Sequence, residues 1–110
     1  MTTVVNVFHL SERERELFDE DVDDRVYIGR GSVFGNPFGH KPSVFSTIIV
    51  GSREEAVESY RLWLTTDLQI PGWRKPTHEE IESLRGKRLG CFCSPQACHG
   101  DVLLELLGER

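Results

Sequence analysis

Three cysteines stand within eight residues near the carboxyl end of the chain, Cys91, Cys93 and Cys98, and His99, Gly100 and Asp101 follow at once in the run CFCSPQACHGD. Thiols and imidazoles are nucleophiles, proton carriers and zinc ligands, so this crowding asks for a chemical reading. Three readings fit the residue types. As a metal site, Cys91, Cys93, Cys98 and His99 supply the donors of a Cys₃His zinc centre, although the spacing is tighter than common finger patterns. As a metal-free catalytic site, Cys98 is a nucleophile or His99 an acid–base group, with Asp101 near enough in the chain to orient the imidazole. As a structural feature, the cysteines are small core residues and His99 is a satisfied group at a helix end.

A second segment, GRGSVFGNPFGH, carries Gly29, Gly31, Gly35 and Gly39. Glycines let a backbone approach an anion where a β-carbon would obstruct it. Arg30 adds a bidentate donor for phosphate or carboxylate, and Gly31, Ser32 and Asn36 add amide and hydroxyl groups. The pattern is neither a Walker loop nor a dinucleotide fingerprint. Its plainer reading is a long turn bent at Asn36 and Pro37, with Phe34 and Phe38 anchored in the core.

The elements that must position these segments follow from patterning. TVVNVF (Thr3 to Phe8) is β-branched and reads as the first strand. Ser11 and Glu14 form a capping-box pattern for a short exposed helix over ERERELF, ended by the acidic run Asp19 to Asp24. RVYIG (Arg25 to Gly29) reads as a strand, then a long loop from Arg30 to about Ser43. VFSTIIV (Val44 to Val50) fits another strand or an extended approach to the next helix, and its β-branched character favours the strand. Ser52 with Glu55 opens the clearest helix, whose inner face is Ala56, Val57, Tyr60, Trp63 and Leu64.

Pro71, Gly72 and Pro76 mark a loop, and Thr77 with Glu80 caps a short helix that buries Ile81 and Leu84 and ends near Gly86. KRLGCFC (Lys87 to Cys93) reads as a strand that sends Cys91 and Cys93 to one face and Phe92 to the other. Ser94 and Pro95 make an N-cap and N1 pair, setting Cys98 and His99 in or near the first turn of a last helix. The inner face of that helix is Val102, Leu103, Leu106 and Leu107, and Gly108 stops it. Strands separated by helices imply an α/β fold, one small domain over residues 1–110, with a mixed or parallel sheet covered by helices.

Composition narrows the function classes. The 110 residues are 38% hydrophobic and 28% charged, as expected of an ordinary globular chain that folds unaided. A net charge of −5 argues against non-specific nucleic-acid binding, which needs an excess of Lys and Arg. The local cluster Arg85, Lys87 and Arg88 reads as a solvated turn, with a phosphate-facing role as the sharper alternative. No run approaches the roughly 18 apolar residues that span a bilayer, and MTTVVNVFHL lacks the features of a signal peptide. A cytoplasmic protein without membrane partners is expected, and three clustered cysteines suit a reducing compartment better than a disulfide framework.

The quoted segments resemble an uncharacterised prokaryotic and phage family, the domain of unknown function 4326. The likeness runs from Asn6 and Val7 through VYIGRGSVFGNPF (Val26 to Phe38), SREEAVESYRLWL (Ser52 to Leu64) and RGKRLGCFCSPQACHGDVLLELL (Arg85 to Leu107). The family usually has an aromatic residue between its first two cysteines, and Phe92 fills that place. The resemblance implies a shared fold and a shared site, and it supplies no substrate.

Two functions are then expected. In the first, the domain binds or processes a phosphate-bearing small molecule, a nucleotide or nucleoside derivative, with Arg30, Gly31, Ser32 and Asn36 as binding groups and Cys98, His99 and Asp101 at the reacting end. In the second, it is a non-enzymatic phage or host accessory module stabilised by zinc on Cys91, Cys93, Cys98 and His99. The sequence leaves the choice, and the oligomeric state, open.

Overall fold

The β-branched run after Thr2 forms β1 (Thr3–Asn6), and Ser11 then opens α1 (Glu12–Asp19), its hydroxyl accepting the Glu14 amide at 3.2 Å. These elements belong to a computed structural model that describes residues 1–7, 10–19, 24–29, 31–39, 48–91 and 98–109. The chain continues through β2 (Arg25–Tyr27), β3 (Phe38–Gly39), β4 (Ile48–Ile49), α2 (Arg53–Thr65), α3 (His78–Glu82), β5 (Arg88–Cys91) and α4 (His99–Leu106).

The last strand in sequence is the middle one in space. β5 lies between β1 and β2 and is parallel to both, so Val4 and Val26 flank Leu89, and Asn6 ends beside Cys91. All three strands therefore finish at one carboxyl edge. The second sheet is a short parallel pair, Phe38–Gly39 against Ile48–Ile49. The expected α/β domain is thus built on parallel sheets.

Side-chain alternation divides the three-stranded sheet into two faces. Gly90 faces α1, where a β-carbon would lie 2.7 Å from the Phe18 ring and 2.8 Å from Val7. Glycine there lets the helix settle on the sheet. Leu89 and Cys91, on the other face, are fully buried in a core shared with Ile28, Phe34 and Phe38, with Tyr60 and Trp63 of α2, and with Val102, Leu103 and Leu107. The face expected of α2 is the one it buries, with Ala56, Tyr60 and Trp63 inside and Val57 and Leu64 half-buried.

Helix ends follow the sequence signals closely. Ser52 accepts the Glu55 amide, and Glu55 reaches back to the Gly51 amide at 3.1 Å. Thr77 and Glu80 complete a reciprocal capping box on α3, and Gly86 and Gly108 adopt the positive φ expected of helix and turn stops.

Three expectations need correction. The loop after Arg30 is not without strand, because Phe38 and Gly39 pair with β4; of the expected strand Val44 to Val50, Ile48–Ile49 is strand and exposed, Val50 is not strand, and 44–47 lie outside the described residues. Leu106 is 37% exposed rather than internal, since α4 buries its first turns and Leu107 more deeply than its last. The cap of α4 is Cys98 rather than Ser94, so the helix begins later than the Ser-Pro pair suggested. Among the described residues, no helix is long and apolar enough to cross a membrane.

Candidate functional site

α4 begins where the strands end. Its N-cap Cys98 has extended backbone angles, its sulfur accepts the Gly100 amide at 3.4 Å, and the Asp101 carboxylate accepts the Cys98 amide at 3.3 Å. A cysteine thus fills the role usually taken by serine or aspartate, and Asp101 completes the box as the N3 residue. The carboxylate expected to orient His99 is placed by this bond at the backbone of its own helix start.

Gly100 sets how closely α4 meets the sheet. A β-carbon there would lie 2.9 Å from Val4 and 3.0 Å from Ile28, so only glycine lets this turn rest on the ends of β1 and β2. That approach carries His99 into the core, where it is 7% exposed. Its Nε2 lies 2.6 Å from the Ile28 carbonyl, and its Nδ1 lies 3.7 Å from the Cys98 sulfur. A carbonyl oxygen only accepts, so Nε2 carries the hydrogen and Nδ1 faces the sulfur. The arrangement is a thiol and an imidazole in one buried turn, with the ring held from behind by backbone.

The Tyr60 ring meets the His99 ring edge-on, with centroids 5.1 Å apart, and its hydroxyl donates to the Phe34 carbonyl at 2.8 Å. Burial, and secondarily the neighbouring Cys98 thiol, hold this phenol well above its ordinary range, so it serves as a neutral donor. Tyr60 therefore touches both segments. Its place on an apolar helical face marked it as core, and the only sequence signal for its polar role is that it is Tyr rather than Phe.

The glycine-rich loop leaves β2 through Ile28 and Gly29. Tyr27 lies over Gly29, where a β-carbon would collide with its ring, and Gly31 takes a φ of +96° in open space. Ser32 donates its hydroxyl to the Gly29 carbonyl at 2.7 Å, and its amide bonds to the same oxygen at 3.1 Å. Asn36, expected as a ligand group, is buried with both ends of its amide engaged: Nδ2 donates to the Ala56 carbonyl at 3.1 Å, and Oδ1 accepts the Phe38 amide at 2.9 Å. The anchoring role given to Phe34 and Phe38 agrees with their burial.

Several expected site residues are therefore neighbours. Cys98 lies beside His99, and His99 meets Ile28 at the strand end that opens the loop segment, while Gly31 and Ser32 lie a few residues farther along the chain. Arg30, Phe92, Cys93, Ser94 and Pro95 lie outside the described residues. Cys91 and Cys98 are buried, and no group of three or more metal-binding side chains occurs among the described residues. The cluster Arg85, Lys87 and Arg88 sits at the opposite, amino end of β5, where Arg85 pairs with Glu82 and Glu109 and Arg88 approaches Asp24. The sequence reading missed the Ile28 carbonyl, since backbone partners leave no trace in residue type.

Comparison with known proteins gives a family. The model of the Domain of unknown function (DUF4326) matches residues 11–109. An "uncharacterized 12.4 kDa protein in nrdA-td intergenic region" of Enterobacteria phage T4 is 34% identical over 87 residues, covering 79% of this chain and 70% of that protein. No solved structure matches.

Proposed function

We propose that this chain, which belongs to the DUF4326 family, binds and processes a phosphate-bearing small molecule, a nucleotide or nucleoside derivative, at the carboxyl edge of its parallel sheet. The observation that carries the reading is the 2.6 Å bond from His99 to the Ile28 carbonyl, which ties the start of α4 to the strand end that opens the glycine-rich loop. Open α/β sheets characteristically bind ligands beyond the carboxyl ends of their strands, and this likeness is one of architecture alone. Arg30 and the Gly31 amide bind the phosphate, Ser32 braces the turn through its two bonds to the Gly29 carbonyl, and Asn36 positions the loop by clamping it to α2. Cys98 is the nucleophile and His99 Nδ1 its base. Asp101 holds the turn that carries both.

Calorimetric titration with nucleoside 5′-phosphates tests the binding half, with Arg30→Ala expected to weaken it about tenfold or more, as for a charge-assisted contact. Mass-mapped alkylation near neutral pH tests the reacting half. Cys98 should be modified ahead of Cys91, and bound nucleotide should protect it. Failure of every nucleoside phosphate to bind at millimolar concentration would end this reading.

One observation favours the zinc-stabilised module as a second reading. Two ligands at about 2.3 Å (sulfur) and about 2.0 Å (nitrogen) from a tetrahedral zinc lie roughly 3.5 Å apart, close to the 3.7 Å between Cys98 Sγ and His99 Nδ1. A carbonyl on the far ring nitrogen is the usual support of such a ligand. Cys98 and His99 would hold the ion together with Cys91 and Cys93. Stoichiometric zinc in the purified protein, with loss of fold on chelation, would select this module over the nucleotide site.

A further inference from the structure

We infer that Tyr60 is the positioning residue through which a phosphate on the glycine-rich loop acts on His99, so that occupancy of the loop regulates the Cys98–His99 pair; this rests on the nucleotide reading above. Two backbone carbonyls bracket the loop, Ile28 at its entry and Phe34 at its exit, and each meets one ring of an aromatic pair. His99 Nε2 lies 2.6 Å from the first, and the Tyr60 hydroxyl donates to the second at 2.8 Å. The two rings meet edge-on, with centroids 5.1 Å apart. The segment from Ile28 to Phe34 is thereby closed on itself through these two side chains.

The turn within that closed segment is bonded so that it moves as a piece. Ser32 is tied to the Gly29 carbonyl by its hydroxyl at 2.7 Å and its amide at 3.1 Å, and the Gly35 amide donates to the Ser32 carbonyl at 3.1 Å. The Gly35 amide and the Phe34 carbonyl belong to one planar peptide unit, held by the loop on one side and by Tyr60 on the other. A shift of the Ser32 turn therefore tilts this plane and moves the acceptor of the phenol. Asn36 bonds to the Ala56 carbonyl of α2, one helical turn before Tyr60, so the shift is not absorbed farther along the chain. Gly31, with a φ of +96° and open space where a β-carbon would stand, lets the tip close on an anion while the base of the loop stays bonded.

Packing alone does not call for the hydroxyl. Tyr60 is fully buried on a helical face with Ala56 and Trp63, where the ring of a phenylalanine would fill the same space, and a buried hydroxyl is costly unless bonded. Its bond to Phe34 fixes the ring that abuts His99. The imidazole Nδ1 in turn lies 3.7 Å from the Cys98 sulfur, so a tilt of that ring changes the distance a proton would cross between them.

Nitrogen NMR of the full chain at fixed pH tests the coupling, with inorganic phosphate as the probe because it has no sugar or base to touch His99. The Gly31 and Ser32 amides report binding, and the His99 ring nitrogens report the response. In wild type, saturating phosphate should shift both sets of signals. In Tyr60→Phe, compared at saturation so that affinity does not enter, the loop amides should still shift while the His99 response falls about twofold or more, the scale on which a residue along a coupling chain acts. A hydroxyl that served stability alone would lower the melting temperature and leave the His99 response at its wild-type size. Ser32→Ala loosens the other side of the same peptide plane and should also reduce the response, and it carries the comparison if Tyr60→Phe does not fold. An undiminished response in the variant that carries the comparison, or a silent His99 in wild type whose loop binds phosphate, overturns this inference and leaves the nucleotide reading standing. So does a loop indifferent to phosphate in a protein that binds nucleoside 5′-phosphates, whereas no binding of phosphate or of any nucleoside phosphate overturns both.

Discussion

The two edges of the three-stranded sheet are held by different chemistry. At the amino edge the contacts are charged and partly exposed: Glu109 accepts the Thr2 amide at 2.9 Å and its hydroxyl at 2.6 Å, Gly86 donates to that hydroxyl at 2.7 Å, and Arg85 stands 3.7 Å from Glu109. At the carboxyl edge the contacts are buried and run mostly to backbone: His99 to Ile28, Tyr60 to Phe34, Asn36 to Ala56 and Phe38. The first arrangement ties residues near the two chain ends together. The second fixes a thiol, an imidazole and a loop relative to one another, where an unpaired buried group would be costly. The lesson is that the buried thiol and imidazole lie where backbone carbonyls, rather than solvent-screened ion pairs, set the geometry.

The largest test of this contrast removes the support beneath the carboxyl edge. Trp63 is 1% exposed and packs against Tyr60, with ring centroids 6.0 Å apart. Trp63→Ala should lower stability by about 3–5 kcal/mol in a denaturant titration. Wild-type stability in that variant would show that α2 is not the platform of the site.

Gly100→Ala is next. The added methyl would press on Val4 and Ile28, a cost of about 1–3 kcal/mol that the gain in helix propensity, about 1 kcal/mol, only partly offsets. Imidazole nitrogen NMR should report a weakened His99 Nε2–H bond. A more stable variant with an unchanged His99 signal would break the claim that this glycine sets the approach of α4.

Tyr60→Phe sharpens the contrast from the loop side. It keeps the ring and deletes the donor to a buried carbonyl, and should cost about 1–3 kcal/mol. Amide exchange should quicken around Phe34 more than in α1.

The smallest effect separates the edges by pH. Hydrogen bonds from the Thr2 hydroxyl and then its amide hold Glu109 below its ordinary range, and Arg74, with the Thr77 amide second, holds Glu80 at about 2. Carboxylates whose folded pKa is depressed stabilise above the ordinary value and lose that contribution as pH falls through the folded value. The melting temperature should therefore decline slightly from about pH 4.5 toward about pH 2, less so in Glu109→Gln. Salt should blunt the acid effect at Glu80 more than at Glu109, because the Glu80 carboxylate is the more exposed of the two.

Much of the scaffold was legible before any coordinates. Ser11, Ser52 and Thr77 mark their helices because a hydroxyl three residues before an amide is a local device, complete within one turn. The face of α2 was legible for the same reason, since 3.6-residue periodicity needs no knowledge of what lies opposite. Cys98 as an N-cap was harder to see, because cysteine seldom fills that place and the Ser94–Pro95 pair offered a stronger local signal. Asn36 also misled, since an exposed ligand group and a buried loop clamp look the same in a glycine-rich stretch. The strand over Phe38 and Gly39 escaped notice because two residues are too few to show alternation.

What the sequence determined by itself is most of the local elements, fixed by residue type and short-range spacing. Tertiary structure alone decided that β5 is the central strand, that Gly90 and Gly100 are points of close contact, and that Nε2 of His99 meets the Ile28 carbonyl. These facts join residues as much as 96 positions apart, Val4 and Gly100, through backbone atoms and excluded volume, and neither quantity is written in the identity of a side chain.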